Sequence, residues 1–215
     1  MGERTTRHLS PGLALVSLAL AVAVITVIAA VIGPYPLTIN DIGAALLRRI
    51  SGLADPAYEQ VDTVLFSVRL PRVGAALLVG AALSAAGAVY QGLFRNPLVS
   101  PDILGVSTGA GLGAAAGIFL SLPVIAIQGL AFAAGLATVA LVYAVATAVR
   151  GHEPTLVLVL AGVVIGALAG ACISLLKILA DPYDQLPAIT FWLLGSLAST
   201  HPSDVAAAAP AVLLS

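Results

Sequence analysis

Five long apolar runs, each almost free of charge, constrain this chain more than any other feature. A hydrocarbon core about 30 Å thick takes roughly 20 helical residues to cross. Leu9 to Ile32 meets that length without a charge, and Val73 to Phe94 is a second span. Ile103 to Leu120 is a third and shorter one, Val124 to Val149 a fourth, and Thr155 to Ala180 a fifth. Lys177 sits near the end of the fifth, where its stem can snorkel toward the interface. The expected fold class is all-α, a polytopic transmembrane helical bundle.

Composition supports that reading. Charged residues make up 9% of the 215, against roughly 25% in soluble globular domains. Too few charges remain to cover a soluble surface. A soluble enzyme, a disordered chain and a nucleic-acid binder working through a basic face are all excluded. The expected environment is a lipid bilayer, with no nucleic acid as partner. Cys172 is the single cysteine, so no internal disulfide framework exists, and it reads as an inert buried thiol.

Arg4, Arg7 and His8 precede the first span and give it the look of a signal peptide. The apolar stretch exceeds the roughly 7–15 residues of such a segment and other spans follow, so a retained helix is expected. The positive-inside rule leaves orientation open. With the N-terminus inside, Arg4, Arg7, Arg95 and Arg150 fall on the cytoplasmic side and Arg48, Arg49, Arg69 and Arg72 outside.

The segment from Gly33 to Thr63 holds Asp41, Arg48, Arg49, Asp55, Glu59 and Asp62. Within it, Ile39 to Ile50 reads as an amphipathic interfacial helix, started by Asn40 or Asp41, with Ile42, Leu46 and Ile50 on one face. Leu186 to Ala198 is apolar but only 13 residues long, too short to span. Phe191 and Trp192 suit an aromatic belt, so this segment is expected to lie at the outer surface. Val205 to Ser215 reads as a sixth span cut short, which suggests a fragment of a longer chain.

Small residues give the packing signal. Gly109, Gly113 and Gly117 recur every fourth residue in span three, and Gly162, Gly166 and Gly170 do so in span five. Lipid supplies no hydrophobic drive between helices, so such faces favour close backbone contact. Spacing does not separate pure packing from a place beside a translocation path. Asp102, after Pro101, is placed to cap the third span. No acidic residue lies within a confident span, which argues against ion-coupled transport. HExxH, CxxC and phosphate-cradling glycine motifs are absent from the sequence. His8, His152 and His201 lie outside the spans, and no catalytic, cofactor or metal residue is nominated.

Two blocks carry a more specific signal. Residues 69–72 read Arg-Leu-Pro-Arg and lead into VGAALLVGAALSAAG; residues 90–109 read YQGLFRNPLVSPDILGVSTG. Together they resemble the FecCD or BtuC-like permeases of type II ABC importers for iron-siderophore, haem and vitamin B12. LVLAGVVIGALAG at 158–170 and FWLLGS at 191–196 are similar to the same family. The resemblance implies the N-terminal portion of a ten-helix permease with its N-terminus inside. It implies a second permease subunit, a homodimer or close heterodimer, and two cytosolic ATPase subunits that bind the ATP. It also implies an external solute-binding protein, met by Arg69 and Arg72. Arg95, Asn96 and Pro97 then form a cytoplasmic turn between spans two and three. The expected role is a translocation path for an iron-siderophore or related metal chelate. An ion-coupled carrier and a non-transporting truncated protein are the alternatives.

Overall fold

The computed structural model describes residues 10–52, 55–149 and 154–214. Arg4, Arg7, His8, Leu9, Arg150, His152 and Ser215 lie outside the described residues, so the charges at those positions are not placed. Every regular element among the described residues is helical. The chain divides into two compact units, residues 1–80 with 197–215, and residues 81–196.

In the first unit, α1 (Pro11–Val31) starts at Ser10, whose Oγ accepts the Leu13 N–H at 3.4 Å, with Pro11 at the first helical position. Ala30 is its one buried residue, so nearly the whole apolar surface of α1 faces outward. Such a surface is stable in lipid and not in water.

Helix α2 (Ile39–Ser51) is capped differently from the expectation. Thr38, not Asn40 or Asp41, is the N-cap. The Asp41 N–H donates to Thr38 Oγ1 at 3.2 Å, and the Thr38 N–H donates back to the Asp41 carboxylate at 2.8 Å. This reciprocal box satisfies two end donors. The expected apolar face also divides. Ile42 packs with Leu37, Ala45 and Leu65, whereas Leu46 is partly open and Ile50 is 84% exposed. Ala45 is the small residue that lets α2 approach its neighbours.

A continuous helical rod covers Pro56–Phe94. It comprises a short 3₁₀ turn, α3 (Glu59–Thr63), a π-helical turn (Val64–Arg69) and α4 (Leu70–Phe94). The rod therefore starts well before Val73. It passes through Pro71, whose missing N–H follows directly on the widened turn. Arg48 ties α2 to α3 through a 2.6 Å pair with Asp62 and lies 4.5 Å over the Tyr58 ring. The last helix of this unit, α9 (Pro202–Leu214), contains Pro210.

The second unit is organised around α5 (Val106–Phe119). Gly109, Gly111, Gly113, Ala114, Ala115 and Gly117 are all buried on it. Around it stand α6 (Val124–Ala148), α7 (Pro154–Leu179) and α8 (Gln185–Leu194). At 14 residues α5 is about 21 Å long, short of a full crossing. It starts after a 3₁₀ turn at Pro101–Leu104 and a left-handed Gly105, with Asp102 accepting the Ser107 N–H at 3.2 Å. Asp102 thus reaches the first turn of α5 from five residues back. At the far end Ser121 takes φ of 53°, and the Leu122 N–H reaches back to Gly117 O at 3.0 Å, which reverses the chain into α6.

The short segment expected at the outer surface packs along α5. Gln185 Nε2 donates to Phe119 O at the end of α5, while Leu193 lies opposite Gly111 near the middle of the same helix. Helix α8 therefore runs antiparallel down the side of α5. Ile189 is fully buried there against Ala115 and Ala180. Its inner face covers α5, and Gly195 at φ 72° ends it.

Candidate functional site

The glycine repeats both act on α5, from opposite partners. On α5 itself, a Cβ at Gly109 would meet Thr138 Oγ1 at 2.0 Å, one at Gly113 would meet Leu130 O at 2.3 Å, and one at Gly117 would meet Ile127 at 3.1 Å. The partner numbers fall as the glycine numbers rise, so α5 and α6 are antiparallel and in backbone contact. The α7 repeat meets the other side. A Cβ at Gly162 would meet Ile103 O at 2.2 Å, whereas Gly166 has Gly105 Cα at 3.6 Å and Gly170 has Thr108 Cγ2 at 3.9 Å. The two glycine faces are graded: Gly113 and Gly162 are obligatory, while Gly166 and Gly170 have room for a methyl group. Sequence spacing could not reveal the grading, because it depends on which backbone lies opposite.

Gly105 was not singled out by spacing and matters as much. Its φ of 69° suits glycine, and an added Cβ would meet Gly162 O and Gly166 Cα at 3.2 Å. Its signal is a glycine directly after the Pro-Asp-Ile-Leu turn.

The expected turn after α4 is built on three consecutive residues. The Asn96 N–H donates to Gln91 O and the Arg95 N–H to Gly92 O, a Schellman closure with Arg95 at φ 50°. Asn96 Oδ1 then accepts the Leu98 N–H at 2.9 Å. Pro97 prevents helical continuation. Arg95, Asn96 and Pro97 are all exposed.

Arg69 and Arg72 differ in burial and in partners. Arg72 is exposed and donates from Nη2 to Ala198 O. Arg69 is 7% exposed. Its Nη1 donates to Ala30 O at 2.6 Å and to Val31 O, and its Nη2 donates to Tyr35 O. Ala30 and Val31 close α1, where helix carbonyls have no partner within the helix. Gly33 makes the space, since a Cβ there would lie 2.7 Å from Nη2. Sequence carried one trace of this, a Gly33-Pro34 turn ahead of the arginine pair.

Electrostatics outside the spans is local. The Asp41 carboxyl is held below its ordinary range first by the Thr38 backbone donor and then by the Thr38 hydroxyl. Arg48 is held above its ordinary value chiefly by its hydrogen bond to Asp62. Among the described residues, no cluster of three His, Cys, Asp or Glu is arranged to hold a metal ion. Cys172 is half-buried rather than fully enclosed. A cavity of about 640 Å³ touches Tyr90, Phe94, Val139 and Tyr143, and its lining is mainly apolar.

The FecCD transport family profile matches residues 19–215. The chain is 38% identical to the molybdate import system permease protein MolB of Haemophilus influenzae over 188 residues, covering 87% of this chain and 55% of the relative. It is 37% identical to the cobalamin import system permease protein BtuC of Halobacterium salinarum, covering 91% and 61%. It is 42% identical to the Fe(3+) dicitrate transport system permease protein FecD of Escherichia coli, covering 70% and 46%. A solved inward-facing structure of an ABC transporter assigned to the metal-chelate type superposes with a TM-score of 0.76 at 34% identity, covering 94% of this chain and 59% of that one. The chain thus spans about half to three-fifths of the length of these relatives.

Proposed function

Because the chain belongs to the FecCD transport family, we propose that it forms part of the membrane-spanning permease subunit of an ATP-binding cassette importer. The observation that carries this reading is the family match over residues 19–215, which takes in both motif blocks and both glycine repeats. The backbone-close packing of α5 by α6 and α7 supports it, because a helical path needs walls that hold shape without a hydrophobic drive.

In this reading the chain contributes no ATPase site. Two cytosolic ATPase subunits bind the ATP, a second permease subunit, most simply an identical copy, completes the path, and an external solute-binding protein delivers cargo. The Arg95-Asn96-Pro97 turn faces the cytoplasm. The obligatory Gly113 and Gly162 serve packing, and the roomier Gly166 and Gly170 stand beside the path. The cargo carried forward is an iron chelate, on the strength of the Fe(3+) dicitrate relative and the metal-chelate structural neighbour. Molybdate and cobalamin relatives define the competing cargoes to be tested beside it.

Arg72 is the docking group, being exposed at the outer root of α4 and able to meet a carboxylate of the binding protein. Arg72→Glu in the complete importer is expected to weaken capture of the solute-binding protein by about a hundredfold at low salt, because a charge reversal replaces attraction with repulsion. Binding titrations in nanodiscs measure this. Unchanged affinity refutes the docking role.

A further inference from the structure

Helix α2 carries more apolar surface than its own unit covers. Ile42 and Ala45 face the rod and pack with Leu37 and Leu65. Ile39, Leu46 and Ile50 are exposed, and Gly43 beside them meets nothing within 4 Å. At 3.6 residues per turn these three share one flank, about 70–110° round from the inward midline, whereas Arg48 lies about 90° round the other way. The arginine contacts fix which flank points where. Arg48 reaches Asp62 at 2.6 Å and lies over the Tyr58 ring, while Arg49, closer to the midline, lies 5.5 Å from the Phe66 ring. Those partners descend the rod toward α4. The Arg48 flank therefore points away from the bilayer, and the flank of Ile39, Leu46 and Ile50 points toward it.

Depth points the same way. Helix α1 has 21 residues, about 31 Å at 1.5 Å each, which matches a hydrocarbon core about 30 Å thick. Two carbonyls that close it, Ala30 O and Val31 O, accept from Arg69, which sets the root of α4 level with the hydrocarbon edge. Leu65, packed with Ala45, stands four residues farther out along the rod, about 6 Å. The headgroup layer is roughly 5–7 Å thick on each side. We propose that α2 lies in this layer and seats Ile39, Leu46 and Ile50 at the boundary between headgroups and acyl chains, with the phospholipid leaflet as its partner. The exposed Ile32 continues the lipid-facing surface of α1 toward that flank. The seat depends on the membrane placement of α1 and α4 and not on cargo or ATP.

The test uses the complete importer in nanodiscs, its permease in a Cys172→Ser background, with a nitroxide placed singly at Ile39→Cys, Ile50→Cys and Glu59→Cys. All three parent side chains are exposed, so the labels displace no packing. Collisions with dissolved oxygen, which concentrates among acyl chains, are compared with collisions with a water-soluble nickel chelate. The oxygen-to-nickel ratio is expected to be about tenfold higher at Ile39 and Ile50 than at Glu59, which stands farther out on α3. Ratios at Ile39 and Ile50 equal to that at Glu59 place α2 in water and overturn the proposal. Labels at both positions that are immobile and shielded from both reagents overturn it in favour of a protein cover. ATP-driven uptake by the same preparation reports separately on the transport reading. Lost uptake with lipid-seated labels leaves the seat of α2 standing, and intact uptake with water-exposed labels sinks the seat alone.

Discussion

Gly113 and Gly166 occupy comparable places in two four-residue repeats, yet alanine is expected to separate them sharply. At Gly113 the new methyl would lie 2.3 Å from Leu130 O, 2.6 Å from Ala134 Cβ and 2.8 Å from the Leu130 carbonyl carbon. Two of those atoms are α6 backbone and the third is a Cβ, so no rotamer change relieves the clash. Restoring ordinary contact requires α5 and α6 to part by about 1 Å along that line. Overpacking of this kind costs about 1–3 kcal/mol, and rigid backbone on both sides puts Gly113→Ala at the upper end. At Gly166 the methyl would sit 3.6 Å from Gly105 Cα, an ordinary contact that also removes a glycine from a helix interior. Thermal unfolding of the purified protein in detergent, followed by size-exclusion chromatography, measures both. Gly113→Ala should lower the apparent Tm by about 6–12 °C, taking roughly 2–4 °C per kcal/mol. Gly166→Ala should stay within about 2 °C of the parent or rise slightly. Equal Tm values for the two variants would refute the claim that α5 and α6 are in backbone contact.

Three further outcomes follow from separate parts of the structure. Asp41 has a depressed carboxyl pKa, so its cap contribution is present above the unfolded value and is lost as pH falls through the folded one; acid should lower the protection of α2 amides relative to their intrinsic exchange rates, and Asp41→Asn should abolish that pH dependence. Leu98, 89% exposed beside Asn96, should react as Leu98→Cys only with reagent supplied from the cytoplasmic side in a Cys172→Ser background; labelling from outside intact cells contradicts the orientation. Gly162→Ala should lower Tm about as much as Gly113→Ala, since its methyl would lie 2.2 Å from Ile103 O; a neutral result would deny the close approach of α7 to the turn before α5.

Helix existence was legible wherever apolar length alone decides it, as in Pro11–Val31 and Val124–Ala148. What stayed hidden depended on partners distant in sequence. The burial of Arg69 depends on carbonyls 34 to 39 residues away, so its local Arg-Leu-Pro-Arg setting reads as an exposed pair. Leu186 to Ala198 reads as too short to span; that it packs along α5 rests on long-range contacts, Gln185 to Phe119 and Leu193 to Gly111, which no local pattern shows. The start of α2 at Ile39 is legible, but its cap is Thr38, two or three residues before Asn40 and Asp41; all three are good cap residues, and only the Thr38–Asp41 reciprocity selects among them. The glycine periods were readable as faces, but their grading required the opposing backbone.

The central claim is that this chain belongs to a machine whose transport is driven by ATP on a separate subunit. The direct measurement reconstitutes the complete permease with its ATPase and solute-binding protein in liposomes and follows uptake of labelled ferric citrate. Uptake is expected only with ATP, to stop when the ATPase subunit is inactivated, and to be indifferent to a proton or sodium gradient. Uptake driven by an ion gradient in the absence of ATP would contradict the account.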